Sequence, residues 1–425
     1  MNFFDLDSKI LELSEKAMEQ CKTQFQEIER IQEYNQNKML KAFQTCGVSE
    51  SHFADSTGYG YSDRGREVLD EVYATAFGAE DAIVRQSFQS GTHALTVALF
   101  GMLRPGDTML SVVGIPYDTI RSVIGIEGNY SGSLKDFDIH YDEVPLKDNE
   151  VDYDALVEKL KSKPKMAYIQ RSRGYSLRRA LTIADIKKIA EIVKRESPET
   201  IVMVDNCYGE FVEELEPTQV GADIMAGSLI KNAGGGIAPT GGYIAGRKDL
   251  VEICSYRLTT PGTGRELGAT ISTKREMFLG AFNSPHITGE AMKTAVFAST
   301  LFTLMGYGVS PTMNEKRGDI VQAILLENEE NLIAFCEGIQ AGSPVDSYVT
   351  PVPDDLPGYD SKVIMAAGTF TLGSSIELSA DAPLREPFAV WMQGSFNFHC
   401  GKTGVLIAAN KILKKNKQYE FWKFS

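Results

Sequence analysis

Close cysteine pairs, clustered histidines and long apolar runs are all missing from this chain of 425 residues. The six cysteines form no closely spaced pair and the five histidines show no metal-ligand spacing, which argues against a disulfide framework and a zinc site. No apolar run approaches the length of a transmembrane helix, and the polar, acidic N-terminus differs from a signal peptide. We therefore expect no metal and no membrane contact, and a reducing cytoplasm is the simplest location.

An excess of positive charge is also lacking. The 43 basic and 57 acidic residues give a net charge of −14, which disfavours nucleic acid or an anionic membrane as a partner. Apolar residues make up 43% and charged residues 24% of the chain, as in soluble globular proteins. The length exceeds that of one ordinary domain, so two domains are expected.

The order of apolar patterns predicts an α/β protein. Apolar residues recur at steps of three and four over 6–43, which indicates an amphipathic helix that is broken at most once. Short apolar runs then alternate with helical patterns, as in a mostly parallel, doubly wound sheet. The predicted strands of this part lie at 81–85, 108–113, 165–170 and 201–204, and a predicted helix lies at 183–194.

A smaller α+β domain is predicted at the C-terminal end, with a helix near 319–326 and strands near 363–372 and 405–409. The predicted domains are an N-terminal helical arm (1–55), a large domain (56–288), a connecting helix (289–308) and a small C-terminal domain (309–425).

The segment 222–246 holds a single lysine, Lys231, among small residues and between two predicted strands. Lysine is the side chain that forms a Schiff base with an aldehyde, as in enzymes that use pyridoxal 5′-phosphate (PLP). Ser228, which precedes it in the same segment, can offer a hydroxyl group to a cofactor phosphate. A surface lysine before a flexible loop is an alternative that the segment alone leaves open.

Other candidate residues lie at the ends of predicted elements. Asp205 ends an apolar strand, where a carboxylate can keep a pyridine nitrogen protonated, although turn aspartates are common there. Ser90, Gly91 and Thr92 open a buried helix, whose free N–H groups suit a phosphate as well as they suit an ordinary N-cap. Tyr117 follows a strand at the edge where open α/β sheets bind ligands.

The loop 56–66 is dense in glycine, tyrosine and arginine. Phenol and guanidinium groups are good donors to anions, and a solvated loop is an equally compatible interpretation.

Together these motifs resemble fold-type I PLP-dependent enzymes, which have the aspartate aminotransferase-like transferase fold. Within that fold the chain resembles the Cys/Met-metabolism group of cystathionine and methionine lyases. GADIMAGSLIKNAGGGIAPTGGYIAG is similar to that group's SxTK and GGxxxG segment, SGTHAL to its phosphate turn and GYGYSDRG to its arm. The segments SRGYS, VDNCYGEF, GSSIELSADAP and REP resemble the methionine gamma-lyase-like, aluminium-resistance branch.

The resemblance implies a role for each matching residue. Lys231 would bind PLP and move the α-proton, Asp205 would pair with the ring nitrogen, and Tyr117 would stack on the ring. Tyr61 and Arg64 would reach the phosphate of a neighbouring subunit. The arm reads Tyr-Ser-Asp-Arg instead of Tyr-Ser-Arg, so Arg66 is an alternative to Arg64. The other implied cofactor contacts are Ser90, Gly91, Thr92, Ser228 and Cys207.

The arginine that clamps the substrate carboxylate in classical members, within RxSxG, has no match in this chain. Arg385 is our choice for that role because it is the only arginine after Arg317. Arg171 and Arg173, at a predicted strand end, are its rivals, and Tyr59 is a further candidate on the substrate side.

The resemblance therefore predicts a PLP-dependent carbon–sulfur lyase that removes the α-proton of a sulfur-containing amino acid and then completes a β- or γ-elimination. It also predicts a homodimer or homotetramer with shared active sites. Two alternatives stay open: an aminotransferase, and a PLP-binding stress or regulatory protein with little turnover.

Overall fold

A computed structural model describes residues 2–128, 130–355 and 361–418. The chain divides into two compact units, a larger one of residues 34–285 and a smaller one of residues 1–33 with 286–425. The first 33 residues thus group with the C-terminal part, whereas the sequence predicted a separate arm over 1–55. The predicted connecting helix lies inside one longer helix, Lys274–Leu304.

The elements are named here in chain order. The helices are α1 (Ser8–Gln20), α2 (Lys22–Thr45), α3 (Arg64–Phe77), α4 (Gly91–Met102), α5 (Asp118–Ile124), α6 (Tyr153–Leu160), α7 (Ile183–Glu196), α8 (Lys248–Leu258), α9 (Lys274–Leu304), α10 (Glu329–Ala341) and α11 (Phe398–Gln418). The strands are β1 (Asp81–Arg85), β2 (Thr108–Ser111), β3 (His140–Glu143), β4 (Leu146–Lys147), β5 (Glu150–Val151), β6 (Met166–Gln170), β7 (Ile201–Asp205), β8 (Ile224–Ser228), β9 (Gly242–Gly246), β10 (Gly308–Ser310), β11 (Gln322–Leu325), β12 (Val363–Ala366), β13 (Ser379–Pro383) and β14 (Ala389–Gln393).

The larger unit is built on a seven-stranded sheet in the order β1-β9-β8-β7-β6-β2-β3. Strand β9 runs antiparallel to both of its neighbours, and the other pairings are parallel. Successive residues of a strand face opposite sides, so Val202 and Val204 enter one hydrophobic cluster while Ile201 and Met203 enter another. Burial of both faces explains why these strands read as continuous apolar runs, and the predicted mostly parallel sheet is confirmed.

The smaller unit contains an antiparallel sheet in the order β10-β11-β14-β13-β12. Residues of α10, α11 and these strands share one hydrophobic cluster, as Phe335, Val405 and Val390 illustrate. The N-terminal helical pattern is interrupted once, at Cys21, whose Sγ lies 3.2 Å from Thr300 Oγ1.

Two predictions for the C-terminal part are wrong, and one is too long. The predicted helix near 319–326 is strand β11, and the predicted strand at 405–409 lies inside α11. Both are short apolar runs, for which periodicity does not separate a buried strand from a buried helix. The strand predicted at 363–372 ends at Ala366. None of the described helices is both long enough and apolar enough to cross a membrane.

Candidate active site

Three neighbouring parallel strands end in polar side chains at one edge of the large sheet. Strand β6 ends at Gln170, β7 at Asp205 and β8 at Ser228. Gln170 pairs with Asp205, and Asp205 pairs with Ala226 of β8. Because ligands of open α/β sheets bind outside the carboxyl ends of the strands, this edge is a candidate site.

The N-terminus of α4 meets this edge. Ser90 caps the helix by accepting a hydrogen bond from the His93 N–H at 3.1 Å. The N–H groups of Gly91 and Thr92 have no intrahelical acceptor, because they belong to the first turn of the helix. A methyl group at position 91 would lie 3.1 Å from Ser228 Cβ and 3.2 Å from Cys207 Sγ. A glycine is therefore needed for this close approach, which brings the predicted phosphate turn next to Ser228 and Cys207.

Lys231 follows β8 and precedes a short 3-10 turn. Its Nζ lies 4.2 Å from the centroid of the Tyr208 ring, in a cation–π contact. The buried Asn232 donates to the backbone carbonyls of Tyr208 and Glu210 at 3.0 Å, and so ties the lysine turn to the turn after β7. Burial alone would lower the pKa of Lys231, but its polar neighbours, led by Cys207, raise it above its ordinary value.

Asp205 is buried at the end of β7. Its Oδ1 accepts a hydrogen bond from the Cys207 N–H at 3.1 Å, and its Oδ2 accepts one from the Tyr168 hydroxyl at 3.3 Å. Burial raises the pKa of Asp205, and the charge of Lys231 opposes that rise. A second cation next to Asp205 would favour its carboxylate form. A protonated pyridine nitrogen would be such a cation, and it needs a carboxylate as its partner.

Tyr117 lies beside the same strand edge. Its backbone N–H donates to Gln170 Oε1 at 2.6 Å, and its ring contacts the Tyr175 ring edge-on with centroids 5.7 Å apart. A methyl group at Gly174, whose φ is +58°, would lie 3.1 Å from Tyr117 Cδ2. The predicted ring-stacking residue is thus held next to β6 by a turn that uses glycine.

The arginines near β6 have distinct environments. Arg171 is fully buried and donates to Asn206 Oδ1 and the Gly209 carbonyl at 2.9 Å, and to Glu213 Oε1 at 3.1 Å. These partners occupy its guanidinium, so Arg171 has a structural role and is removed from the rivals for the substrate carboxylate. Arg178, which the sequence did not single out, donates to the carbonyl of Gln170 at 2.9 Å.

The remaining two carboxylate candidates lie in different units. Arg173 is buried in the turn that follows β6, where the Ser176 hydroxyl donates to its backbone carbonyl at 2.9 Å. Arg385 is exposed in the loop between β13 and β14.

The loop before α3 presents two tyrosines to solvent. Tyr59 is 73% and Tyr61 60% exposed, and their ring centroids are 5.7 Å apart. Arg64 is exposed, whereas Arg66 is buried. The Arg66 guanidinium donates to three backbone carbonyls, those of Gly60, Gly268 and Glu266, at 2.8, 2.7 and 3.2 Å. Of the two arginines, Arg64 is the one whose side chain is open to a ligand or a neighbouring subunit.

Sequence reasoning missed a buried carboxyl group behind the site. Glu210 Oε1 accepts a hydrogen bond from the Tyr243 hydroxyl at 2.8 Å, and Oε2 has no partner among the described residues. A methyl group at Gly227 of β8 would lie 2.6 Å from Glu210 Oε1. The available signal was an acidic residue within the otherwise mostly apolar YGEFV stretch that follows β7.

The assembled groups fit PLP. A helix N-terminus suits its phosphate, a buried carboxylate suits its ring nitrogen, and a lysine lies at the end of the adjacent strand. Gly91 allows the N-terminus of α4 to pack closely against Ser228 and Cys207, so that its backbone donors lie at this edge. Within residues 2–128, 130–355 and 361–418, no group of three or more His, Cys, Asp or Glu side chains is arranged to hold a metal ion.

The chain is similar in sequence and in fold to known proteins. The family model described as methionine gamma-lyase matches residues 10–413. Protein YnbB of Bacillus subtilis is 47% identical over 391 residues, which cover 92% of this chain and 93% of that protein. A solved candidate cystathionine beta-lyase involved in aluminium resistance, from Clostridium acetobutylicum, is 51% identical over 97% of each chain, with a TM-score of 0.94.

A solved carbon-sulfur lyase involved in aluminium resistance, from Clostridium novyi, is 51% identical over 96% of each chain, with a TM-score of 0.92. The PLP-dependent protein YhfS of Escherichia coli shares the fold at 16% identity, with a TM-score of 0.60 over 91% of this chain and 97% of that chain. The predicted fold class is confirmed by these matches. The chain belongs to the methionine gamma-lyase family, whose members are PLP-dependent enzymes of fold type I.

Proposed function

We propose that the chain is a PLP-dependent carbon–sulfur lyase that acts on a cystathionine-, cysteine- or methionine-type amino acid. The observation that supports this most is the convergence of Lys231, Asp205 and the N-terminus of α4 at one sheet edge, with Gly91 close to Ser228. PLP, when bound, supplies an electron sink for the carbanion that forms when the α-proton leaves.

Lys231 is the residue that binds the cofactor and moves the α-proton. The Tyr208 ring and Asn232 restrict where its amine can lie. The raised pKa of Lys231 means that its free amine is protonated, so it must release a proton before it reacts with an aldehyde.

Asp205 and the α4 turn orient the cofactor. The Asp205 carboxylate would pair with the ring nitrogen and favour its protonated form. The Gly91 and Thr92 N–H groups and the Ser228 hydroxyl would bind the phosphate, and Ser90 and Cys207 would contact the cofactor at that end of the site. Tyr117 would stack on one face of the ring.

A neighbouring copy of the chain completes the site in this proposal. Tyr61 and Arg64 reach the phosphate bound by a second subunit, which gives a homodimer or a homotetramer with shared sites. Their exposure in the single chain supports this assignment, while Arg66 is committed to three carbonyls of its own loop region.

For the substrate carboxylate we favour Arg385, with Arg173 as the rival. Arg385 is exposed and chemically suited, because a planar guanidinium binds a carboxylate through two parallel hydrogen bonds. Expulsion of a thiol also needs an acid near the sulfur. Tyr59, Tyr61 and Tyr117 are the phenols available for that step.

Elimination and transamination both begin with loss of the α-proton, so product analysis separates them. Purified protein loaded with PLP is incubated with cystathionine, cysteine or methionine, without an added keto acid, and 2-keto acid, ammonia and thiol are measured. Equimolar keto acid and ammonia, with thiol, are expected. Turnover that requires an added amino acceptor would contradict the lyase function and indicate an aminotransferase. PLP binding without turnover in either assay would indicate a regulatory or stress protein.

A further inference from the structure

An aromatic ring lies against the amine of the candidate cofactor lysine. The Lys231 Nζ is 4.2 Å from the centroid of the Tyr208 ring, and both residues are partly buried. A cation within about 6 Å of an aromatic centroid is attracted by the negative face of the ring, more strongly where water is excluded. Because the amine lies well within that distance, the ring can stabilise its charged form.

The backbone at Tyr208 is strained. Its φ of +70° lies in the left-handed region, which is unusual for a bulky side chain. Such conformations persist only where surrounding contacts impose them, and they concentrate at functional sites. The buried Asn232, next to Lys231 in the chain, donates to the Tyr208 and Glu210 carbonyls at 3.0 Å. The turn that carries the ring is thereby fixed to the turn that carries the amine.

Other polar groups also act on this amine. Burial lowers the pKa of Lys231, but the net pKa is raised by four neighbouring groups, Cys207, Tyr208, Asp205 and Glu210. Cys207 and Glu210 carry no charge at neutral pH, because burial raises the pKa of both, that of Glu210 to about 8. The Asp205 carboxylate would pair with the ring nitrogen of bound PLP. Tyr208 is therefore the group of the four that stays available to the Lys231 amine when the cofactor is present.

We propose that Tyr208 is a positioning residue, whose ring holds the protonated amine of Lys231 at the sheet edge whenever that amine is not bonded to the cofactor. This inference rests on the proposed function, in which Lys231 releases PLP to the amine of the substrate and takes it back at the end of each turnover. By holding the free amine in place, Tyr208 keeps it close to the cofactor for the return step.

The test measures the pH at which the Lys231 amine loses its proton. Full-length protein freed of PLP is labelled with trace acetic anhydride between about pH 7 and pH 11, and the labelling of each lysine is read by mass spectrometry. Greater exposure of the amine scales the whole curve, whereas loss of the ring contact moves its midpoint. Tyr208→Phe keeps the ring. Tyr208→Asn removes it, and asparagine adopts a positive φ readily, so the turn can keep its backbone.

We expect the Lys231 midpoint to fall by about 0.5–1 pH unit in Tyr208→Asn and to stay unchanged in Tyr208→Phe. Lys188, whose Nζ lies 3.6 Å from the centroid of the Tyr153 ring, is the internal reference and should keep its midpoint in both variants. An unchanged Lys231 midpoint in Tyr208→Asn would overturn the proposal. An equal fall in both variants would assign the effect to the Tyr208 hydroxyl and would also contradict the ring contact.

The labelling is independent of the cofactor, so its result is separate from that of the proposed function. Borohydride reduction of the PLP-loaded protein tests whether Lys231 is the cofactor lysine. PLP fixed to another lysine would contradict the proposed function, whereas the labelling alone decides whether the Tyr208 ring stabilises the charged amine.

Discussion

The Tyr243 hydroxyl donates to Glu210 Oε1 at 2.8 Å, in a fully buried pair behind strand β8. Burial raises the pKa of Glu210 to about 8, and the charge of Glu216 adds to this, whereas Tyr243 and Lys231 oppose it. A buried acid with a raised pKa holds its proton in the folded state at pH values where the unfolded chain has lost it.

This relationship predicts a pH dependence of stability. Between about pH 5 and pH 8 the folded state binds one more proton at Glu210 than the unfolded state does, so this group's contribution to stability is lost as the pH rises. For one proton, the free energy of unfolding falls by about 1.4 kcal/mol per pH unit. Glu210→Gln mimics the neutral acid and should remove that part of the slope in unfolding free energies measured over this range. Identical slopes in the two proteins would contradict the prediction.

The second prediction concerns the phosphate turn. Gly91→Ala places a methyl group 3.1 Å from Ser228 Cβ and 3.2 Å from Cys207 Sγ, so the turn must shift by a few tenths of an ångström. We expect PLP affinity to fall by about tenfold, equivalent to about 1.4 kcal/mol, with unchanged helix content. Gly91→Ala combined with Cys207→Ala removes one of the two contacts and should recover part of the affinity, as titration with PLP would show. No loss in the single variant would mean that the turn does not hold the phosphate.

The third prediction separates two neighbouring arginines. Arg66→Lys loses hydrogen bonds to buried carbonyls and should cost about 2–4 kcal/mol of unfolding free energy. Arg64→Lys changes an exposed side chain and should alter stability by less than about 0.5 kcal/mol while weakening PLP binding. Chemical denaturation and PLP titration of both variants are the measurements. The opposite pattern would assign the phosphate to Arg66.

The fourth prediction concerns the substrate carboxylate. Arg385→Lys keeps the charge but loses the paired geometry, so KM should rise about tenfold while kcat changes little. The visible absorbance of bound PLP should not change. Arg173→Lys is the comparison variant, and an effect on KM confined to that variant would move the role to Arg173.

The sheet edge was predictable because its strands are buried on both faces. Strand β1 has the predicted bounds, and β7 ends one residue beyond its predicted end, at Asp205, the predicted strand-end carboxylate. An apolar run that stops at a polar residue marks both the strand and its ligand-binding end. The roles of Lys231 and Asp205 follow from the family resemblance and stay predictions.

Long-range contacts account for what the sequence did not reveal. Arg64 and Arg66 are alike in the sequence, and Arg66 is structural because it donates to the carbonyls of Gly60, Glu266 and Gly268. Glu210 is a buried acid because Gly227 on β8 and Tyr243 on β9 pack against it. In the C-terminal part, the apolar runs of β11 and α11 have no periodicity that separates strand from helix.

The proposed bond between Lys231 and the cofactor can be trapped chemically. Purified protein is loaded with PLP, reduced with borohydride and digested, and its peptides are analysed by mass spectrometry. We expect reduced PLP to be fixed to the peptide containing Lys231, and we expect no such adduct in Lys231→Ala protein whose fold is intact by circular dichroism. PLP fixed to another lysine in the wild-type protein, or no adduct at all, would contradict it.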